Sequence, residues 1–430
     1  MNKRKTQFYL RILLATFLAS MVYATPKILQ VTINQAITPP AFEYLASGLE
    51  AANNEGYDAV ILQLDTPGGL YTTTRSFGQA ILASPVPVIT YVSPQGARAA
   101  SAGTFILYAS HLAAMAPGTH LGSATPVSLG PNNEKKDDAV TNKIMEDSTA
   151  YIRSLAQYHD RNEDFAIDAV STAVSLTAQE ALSADAIEII ASDATDLLQQ
   201  AHNKRVRMQN GFLTLNLKDA KVINHAPTLK QRILFAITDP NITYLLLMAG
   251  IYGLMIELFN PGSLIPGVIG AVCLLIAAYS LQILPINYAG LGLILLGTGF
   301  LVAESFIPSF GILGFAGVIA LAVGSFFLFD GIHWAMPSVW VILSIVAALS
   351  IGLLTLIKIN LRTYRRAPVS GSERLIGQTA IVTEVHEHDY AIRVDGEVWS
   401  AISETSVRLH QYVIVTHIHG VVATIQPSGE

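Results

Sequence analysis

From residue 233 to residue 357 the chain contains no lysine and no arginine. So long a stretch without a basic side chain is foreign to a water-facing surface, where lysine and arginine concentrate. Within it lie apolar runs at about 242–258, 264–281, 288–303, 311–329 and 339–357. Each approaches the roughly 17–25 residues that a helix needs to cross hydrocarbon. Asn260-Pro261-Gly262, Ile265-Pro266-Gly267, Pro285 and Pro308 punctuate the runs. The pattern predicts about five spans, and the segment from Leu264 also fits a re-entrant hairpin. Lys358, Arg362, Arg365 and Arg366 follow the last run directly and mark its cytoplasmic end. Glu257 and Glu304 fall at run ends, which favours an interfacial role over ion transport.

Composition narrows the class further. Hydrophobic residues make up 51% of 430 residues and charged residues only 13%, with a net charge of -6. Nothing in that balance attracts a nucleic acid. The single cysteine, Cys273, excludes an intramolecular disulfide. At the N-terminus, Lys3, Arg4 and Lys5 precede an apolar core at 12–22 and the small-x-small sequence Val22-Tyr23-Ala24. This reads as an export signal cleaved after Ala24, with an uncleaved anchor as its alternative, and either places the following segment outside the cytoplasm. An exported first domain and a cytoplasmic tail require an odd number of spans, and five satisfies this.

Residues from about 26 to 198 read as one α/β domain. Apolar runs at 28–33, 59–64 and 86–92 have the character of buried parallel strands. Helical spacing at Phe42, Leu45, Leu49 and Ala52, and again over 73–82, separates them. Repeated strand–helix–strand units imply a mostly parallel sheet, whose active residues gather where loops leave the strand ends. Two loops qualify. One holds Asp65-Thr66-Pro67-Gly68-Gly69, and the other, at 94–104, holds Ser101 among small residues, ahead of an apolar helical run at 105–112.

A hydroxyl at a helix start lies beside unpaired N–H groups that suit a developing oxyanion. An N-cap serine in a packed turn is the plainer reading of the same residues. Gly68 and Gly69 permit positive φ and close approach, so an N–H there, paired with that of Ala102, suits a tetrahedral intermediate. A turn after a strand accounts for the same glycines. A nucleophilic serine needs a base. His111, His120 and His159 are candidates, but no acid is obviously placed to orient them. Lysine is the other partner, provided burial keeps its amine neutral. Lys135 and Lys136 sit in a polar loop, whereas Lys143 opens a helix whose packed face is Ile144, Tyr151, Ile152, Leu155 and Ala156. Snorkelling beside that face is its alternative role.

Several ordered motifs resemble the NfeD family of membrane-bound proteases. They are Asp65-Thr66-Pro67-Gly68-Gly69, Gly96-Ala97-Arg98-Ala99-Ala100-Ser101-Ala102-Gly103-Thr104, Met115-Ala116-Pro117-Gly118-Thr119, Lys143-Ile144, Arg161-Asn162 and Leu176-Thr177-Ala178-Gln179-Glu180-Ala181-Leu182. The likeness covers nearly the whole chain. It implies a ClpP/crotonase-like α/β fold, and a serine–lysine pair at the matching positions Ser101 and Lys143. Soluble ClpP-type peptidases carry a histidine two residues before the proline matching Pro126; Ala124 stands there instead. That absence agrees with a lysine base.

After a polar stretch at 199–230, with strands expected at 212–217 and 221–224, and after the apolar region, the tail alternates. Strands are expected at 379–385, 390–394, 398–402, 412–416 and 421–425, with Asp395-Gly396 as a hairpin turn. Five short strands suit an OB-fold barrel, as the resemblance also implies. No lysine follows Lys358, so nucleic acid is a poor ligand for it. His386, His388, His417 and His419 invite a metal reading, but exposed barrel residues are the plainer one.

The expected organisation is a signal peptide at 1–24, a ClpP/crotonase-like domain at 25–230, a helical transmembrane region at 231–360, a basic linker at 361–374 and the barrel at 375–430. The expected activity is a serine endopeptidase of the plasma (inner) membrane, with no metal or organic cofactor. Ser101 and Lys143 would be catalytic, and Gly68, Gly69 and Ala102 would line the oxyanion hole. The resemblance implies apolar peptide substrates and a stomatin/prohibitin-like membrane partner, and a homodimer or larger oligomer is expected. The competing expectation is a non-catalytic membrane scaffold that organises stomatin-like proteins.

Overall fold

The computed structural model describes residues 25–126, 138–284, 286–307, 309, 311–329, 335–364, 372–386 and 389–428. The expected signal segment, Lys135 and Lys136, Arg365, Arg366 and His388 lie outside the described residues. Two compact units meet at Ala347 and Ala348.

The N-terminal part runs β1 (Lys27–Ile33), α1 (Pro39–Asn54), β2 (Ala59–Leu64), α2 (Tyr71–Leu82), β3 (Val88–Val92), β4 (Arg98–Ala100), α3 (Ala102–Ala109), β5 (Leu112–Met115) and β6 (His120–Gly122). It continues with α4 (Asp138–His159), α5 (Glu163–Ser171), β7 (Ser175–Thr177), α6 (Ala178–Ser183), β8 (Ile189–Ile190), α7 (Ala194–Ala201), β9 (Arg205–Met208), β10 (Gly211–Thr214) and β11 (Lys221–Asn224). Six strands form one sheet in the order β11-β1-β2-β3-β5-β8, and every pairing in it is parallel. Alternate residues divide between its faces. Leu29, Val31, Val60, Leu62 and Val88 pack toward the helical layer, while Ile28, Ile61, Ile89 and Leu112 pack against Leu197, Leu198 and Val206. The period of two within each strand makes both faces apolar, which is why the strands read as continuous hydrophobic runs.

A second, three-stranded sheet, β4-β6-β7, stands at the carboxyl end of β3. Its strands have three residues each, too few to leave a periodic signal. The helix after Ser101 was expected to extend to residue 112; it stops at Ala109, and Leu112 begins β5. An unbroken apolar run does not distinguish helix from strand, and the break falls at Ser110, whose backbone is extended.

Every residue of α3 is buried. Its C-terminal carbonyls therefore need a protein donor. Arg161 supplies it: the guanidinium donates to the carbonyls of Leu107 (3.1 Å), Tyr108 (2.9 Å) and Ser110 (3.0 Å). The same guanidinium pairs with Glu188 at 2.7 and 3.1 Å. Next to it, the Asn162 side chain accepts from Phe165 N–H and caps α5, while its carbonyl receives the Tyr108 hydroxyl.

Five apolar helices follow a short amphipathic one, α8 (Leu229–Ile237). Phe235 of α8 meets Tyr44 of α1 edge-on at 5.8 Å. The apolar helices are α9 (Pro240–Phe259), α10 (Ile265–Ile283), α11 (Tyr288–Phe306), α12 (Ile312–Phe327) and α13 (Val339–Tyr364). Of these, α9 and α10 are long and apolar enough to cross a membrane, and the apolar parts of the others are shorter.

The hairpin α11–α12 repeats the hairpin α9–α10. Glu257 and Glu304, Phe259 and Phe306, Pro261 and Pro308, Gly267 and Gly314, and Gly270 and Gly317 recur at one constant offset. In each hairpin the helices touch at paired glycines. A Cβ on Gly270 would lie 2.9 Å from the Gly250 carbonyl, and one on Gly317 would lie 2.8 Å from that of Gly297. Such contacts let apolar helices gain packing where lipid offers no hydrophobic drive. Each acid closes its own turn. Glu257 accepts from Gly262 N–H and the Ser263 hydroxyl, and Glu304 accepts from the Ser309 hydroxyl and the N–H groups of Gly311 and Gly314. The equivalent rings of Phe259 and Phe306 meet at 6.5 Å.

The second unit ends in a closed barrel of β12 (Thr379–His386), β13 (Asp389–Val394), β14 (Glu397–Ile402), β15 (Tyr412–His419) and β16 (Val422–Pro427). Its order, β12-β13-β14-β16-β15 with β14 and β16 parallel, is the five-stranded Greek-key arrangement expected of the tail. Asp395 and Gly396 both take positive φ, as a two-residue type I′ hairpin requires. Pairing of Thr379 with Ile414 sends His386 away from His417 and His419, so these imidazoles occupy opposite ends of that ladder.

Replacing Arg161 with leucine removes its bonds to the carbonyls of Leu107, Tyr108 and Ser110 and leaves Glu188, among the described residues, with only the Ala113 N–H as partner. The expected loss is about 3 kcal/mol, read as a fall of roughly 10 °C in the thermal unfolding of the N-terminal domain. An unchanged transition would show that the helix end is held by something else.

Candidate active site

Ser101 joins the small sheet to α3, and its backbone is the most unusual near the cleft. It has φ 52° and ψ -111°. An L-residue resists this conformation by about 1–3 kcal/mol, so the surroundings must impose it. Its N–H donates to Gly122 O at 2.9 Å, and its carbonyl receives Thr104 N–H at 3.0 Å. The Thr104 hydroxyl lies 2.9 Å from Ala99 O and 3.0 Å from Gly122 O, and Gly122 N–H donates back to it at 3.0 Å. Gly103 must be small here, because a Cβ would fall 2.8 Å from Thr66 Cγ2. The Ser101 hydroxyl makes no capping bond to α3. An ordinary N-cap serine would use its oxygen for that purpose.

The glycine turn lies alongside. Thr66 bridges to Ala99 through Thr66 N–H to Arg98 O (2.8 Å) and Ala100 N–H to Thr66 O (3.1 Å). Gly68 N–H donates to the Thr66 hydroxyl at 3.2 Å, so this N–H is engaged inside the turn. Gly69 differs. Ile37 N–H donates to Gly68 O and Leu70 N–H to Ile37 O, which leaves the Gly69 N–H on the other side of that bridge, without an acceptor among the described residues. No side chain fits at Gly69, since a Cβ would lie 2.3 Å from the Ile37 carbonyl oxygen. At the other side of the serine, Ala102 and Gly103 are the first two residues of α3, and helix geometry gives their N–H groups no internal acceptor. The structure thus gathers Ser101, the Gly69 N–H and the start of α3, and sets Gly68 aside as a bracing residue.

Lys143 lies near the start of α4, on a turn exposed to solvent. The sequence placed it beside a packed face; Met145 and Tyr151 pack against the core, while Lys143 itself is exposed. Phe105 of α3 stacks on Tyr151 of α4 at 5.9 Å, and Tyr108 donates to the carbonyl of Asn162, which follows α4. Lys143 precedes Tyr151 by about two turns of α4.

The histidines lie elsewhere. His111 is buried at the other end of the sheet, where its Nδ1 accepts from Val88 N–H at 3.0 Å. Burial, with the Arg161 charge, pushes its pKa down to about 4. His159 packs edge-on against it at 6.0 Å, and burial holds its pKa far below the usual range too. His120 is exposed on β6. Sequence reasoning missed the braces, Thr66 and Thr104, and the role of Arg161. A hydroxyl bonded to its own neighbourhood leaves no pattern in a sequence.

Residues 27–225 match the family description "NfeD1b, N-terminal domain", residues 241–359 match "NfeD integral membrane domain", and residues 372–427 match "NfeD-like C-terminal, partner-binding domain". The chain is similar to the membrane-bound protease PH1510 of Pyrococcus horikoshii, with 33% identity over 417 residues, 94% of this chain and 93% of that protein. It is also similar to membrane protein NfeD1b of Bacillus subtilis, with 31% identity over 294 residues, 66% of this chain and 64% of that one. Among solved structures it is similar to the 1510-N membrane-bound stomatin-specific protease, as a lysine-to-alanine mutant in complex with a substrate peptide. That likeness has a TM-score of 0.46 and 36% identity, and covers 50% of this chain and 99% of the other.

The buried imidazole of His111 makes stability depend on pH. Unfolded, it takes a proton below about pH 6.5; folded, only near pH 4, so acid favours the unfolded form across that window. The expected loss from His111 between pH 7 and pH 5 is about 2 kcal/mol, and buried His159 adds a loss of the same sign. His111→Asn, which keeps an acceptor for Val88, should reduce without abolishing the fall in melting temperature between those two pH values. An equal slope in both would refute the assignment.

Proposed function

The chain belongs to the NfeD family, and on that footing we propose that it is a membrane-anchored serine endopeptidase with Ser101 as nucleophile and Lys143 as base. One observation carries the reading: a backbone-strained serine whose hydroxyl declines the N-cap role, set between unpaired N–H groups. Similarity along nearly the whole chain to a membrane-bound protease supports it.

In this mechanism the Ser101 oxygen attacks a peptide carbonyl carbon while its proton passes to the Lys143 amine. The N–H groups of Gly69 and Ala102 hold the resulting oxyanion. The ammonium then gives that proton to the departing amine, and the peptide C–N bond breaks to leave an acyl-serine. Water attacks the ester with Lys143 again accepting a proton; the acyl C–O bond breaks as the ammonium returns that proton to the Ser101 oxygen, and the acid product leaves. Lys143 is exposed in the free chain.

The five apolar helices form a multi-pass anchor in the plasma (inner) membrane. The protease domain lies outside the cytoplasm, and the barrel follows the basic residues inside. The substrates are apolar peptide segments, and the barrel, which matches a partner-binding family description, engages a stomatin-like partner. Membrane-protein quality control is the process such cleavage serves.

Ser101→Ala should lower cleavage of apolar peptides by at least about 10³-fold, and Lys143→Ala by a similar factor. A serine-directed phosphonate should label wild-type protein at Ser101. Full turnover in either variant would overturn the dyad. No labelling and no cleavage by wild type would favour the scaffold.

A further inference from the structure

Lys143 occupies a turn of α4 whose outer face is exposed, at Val140, Asn142, Lys143 and Glu146, and whose apolar hold on the core is Met145. The next residue down its stripe is Asp147, and the one below that is Tyr151; positions four apart share a helix face. Asp147 receives two donors from α2, the Arg75 guanidinium at 2.8 Å and the Tyr71 hydroxyl at 2.8 Å. Arg75 also donates to the Tyr71 hydroxyl at 3.0 Å and lies over the Tyr151 ring, 4.4 Å from its centroid. Phe105 completes the assembly, stacked on Tyr151 and edge-on to Tyr71 at 6.3 Å.

Each member belongs to an element that carries one part of the candidate site. Tyr71 opens α2 two residues after Gly69, Phe105 lies one helical turn beyond Ser101, and Asp147 lies one turn beyond Lys143. We propose that Arg75, Tyr71 and Asp147 form a positioning clamp that sets Lys143 over Ser101 and the Gly69 N–H. The proposal rests on the serine–lysine reading and adds to it how a lysine on an exposed turn is kept in register. None of the three touches the reacting atoms.

Stability alone does not explain the arrangement. The ion pair is 37% and 58% exposed, and pairs of that kind contribute at most about 1 kcal/mol to folding. Geometry is where such a contact acts strongly, since a displacement of about 1 Å costs on the order of 10²-fold in rate.

The test uses the full-length protein in detergent with an apolar peptide substrate. Asp147→Asn and Arg75→Met should each lower kcat by about 30- to 100-fold with KM changed less than about twofold. The double variant should be no worse than either single one, because both remove the same contact. The exchanged pair, Arg75→Asp with Asp147→Arg, should recover at least about tenfold of the loss. Melting temperatures should stay within about 2 °C of wild type, so that a folding defect is not the cause. Wild-type kcat in Asp147→Asn, or losses that multiply in the double variant, would overturn the clamp while leaving the dyad standing. A wild-type chain that neither cleaves nor is labelled at Ser101 would instead remove the dyad, and the clamp's purpose with it.

Discussion

A helix of eight residues with every side chain buried has no water at either end to satisfy its backbone. That constraint organises the N-terminal domain. At the C-terminal end of α3 the answer is Arg161, whose guanidinium reaches three carbonyls and is balanced by Glu188. At the N-terminal end the domain supplies no answer, and the first-turn N–H groups stay open beside Ser101. The asymmetry matters. A helix whose negative end is neutralised and whose positive end is left bare offers a fixed field to any oxygen that gains charge there.

The membrane region solves a similar problem with a different chemistry. A turn between two apolar helices has N–H groups that need an acceptor where lipid offers none. Glu257 and Glu304 fill that need from the preceding helix, Glu257 accepting from Gly262 and Glu304 from Gly311 and Gly314. The acids are thereby occupied with backbone, which removes the main ground for reading them as ion carriers.

Much of this was legible in the residues. The parallel strands 59–64 and 221–224, the five apolar helices and the five barrel strands follow from runs of hydrophobicity bounded by glycine and proline, signals that survive without tertiary context. The misses share a cause. Helix α3 and strand β5 form one unbroken apolar stretch, so the sequence carried no mark at Ser110. Strands β4, β6 and β7 are too short for a period. Ser101 and Gly69 were visible as small residues in loops after strands, but the choice of Gly69 over Gly68 depends on which side of one bridge an N–H falls. The packing assigned to Lys143 came from Ile144 and Tyr151; in the structure Met145 and Tyr151 pack against the core, Lys143 stays exposed, and Asp147 ties the same turns to α2.

The conformation of Ser101 sets fold and chemistry against each other. Glycine would relax into those angles without resistance, and no other residue in the loop asks for a hydroxyl. A lineage selected only for durability would therefore drift to glycine at this position and keep the scaffold intact. On the reading that Ser101 is the nucleophile, serine at this position is an expense in stability that its hydroxyl's chemistry repays.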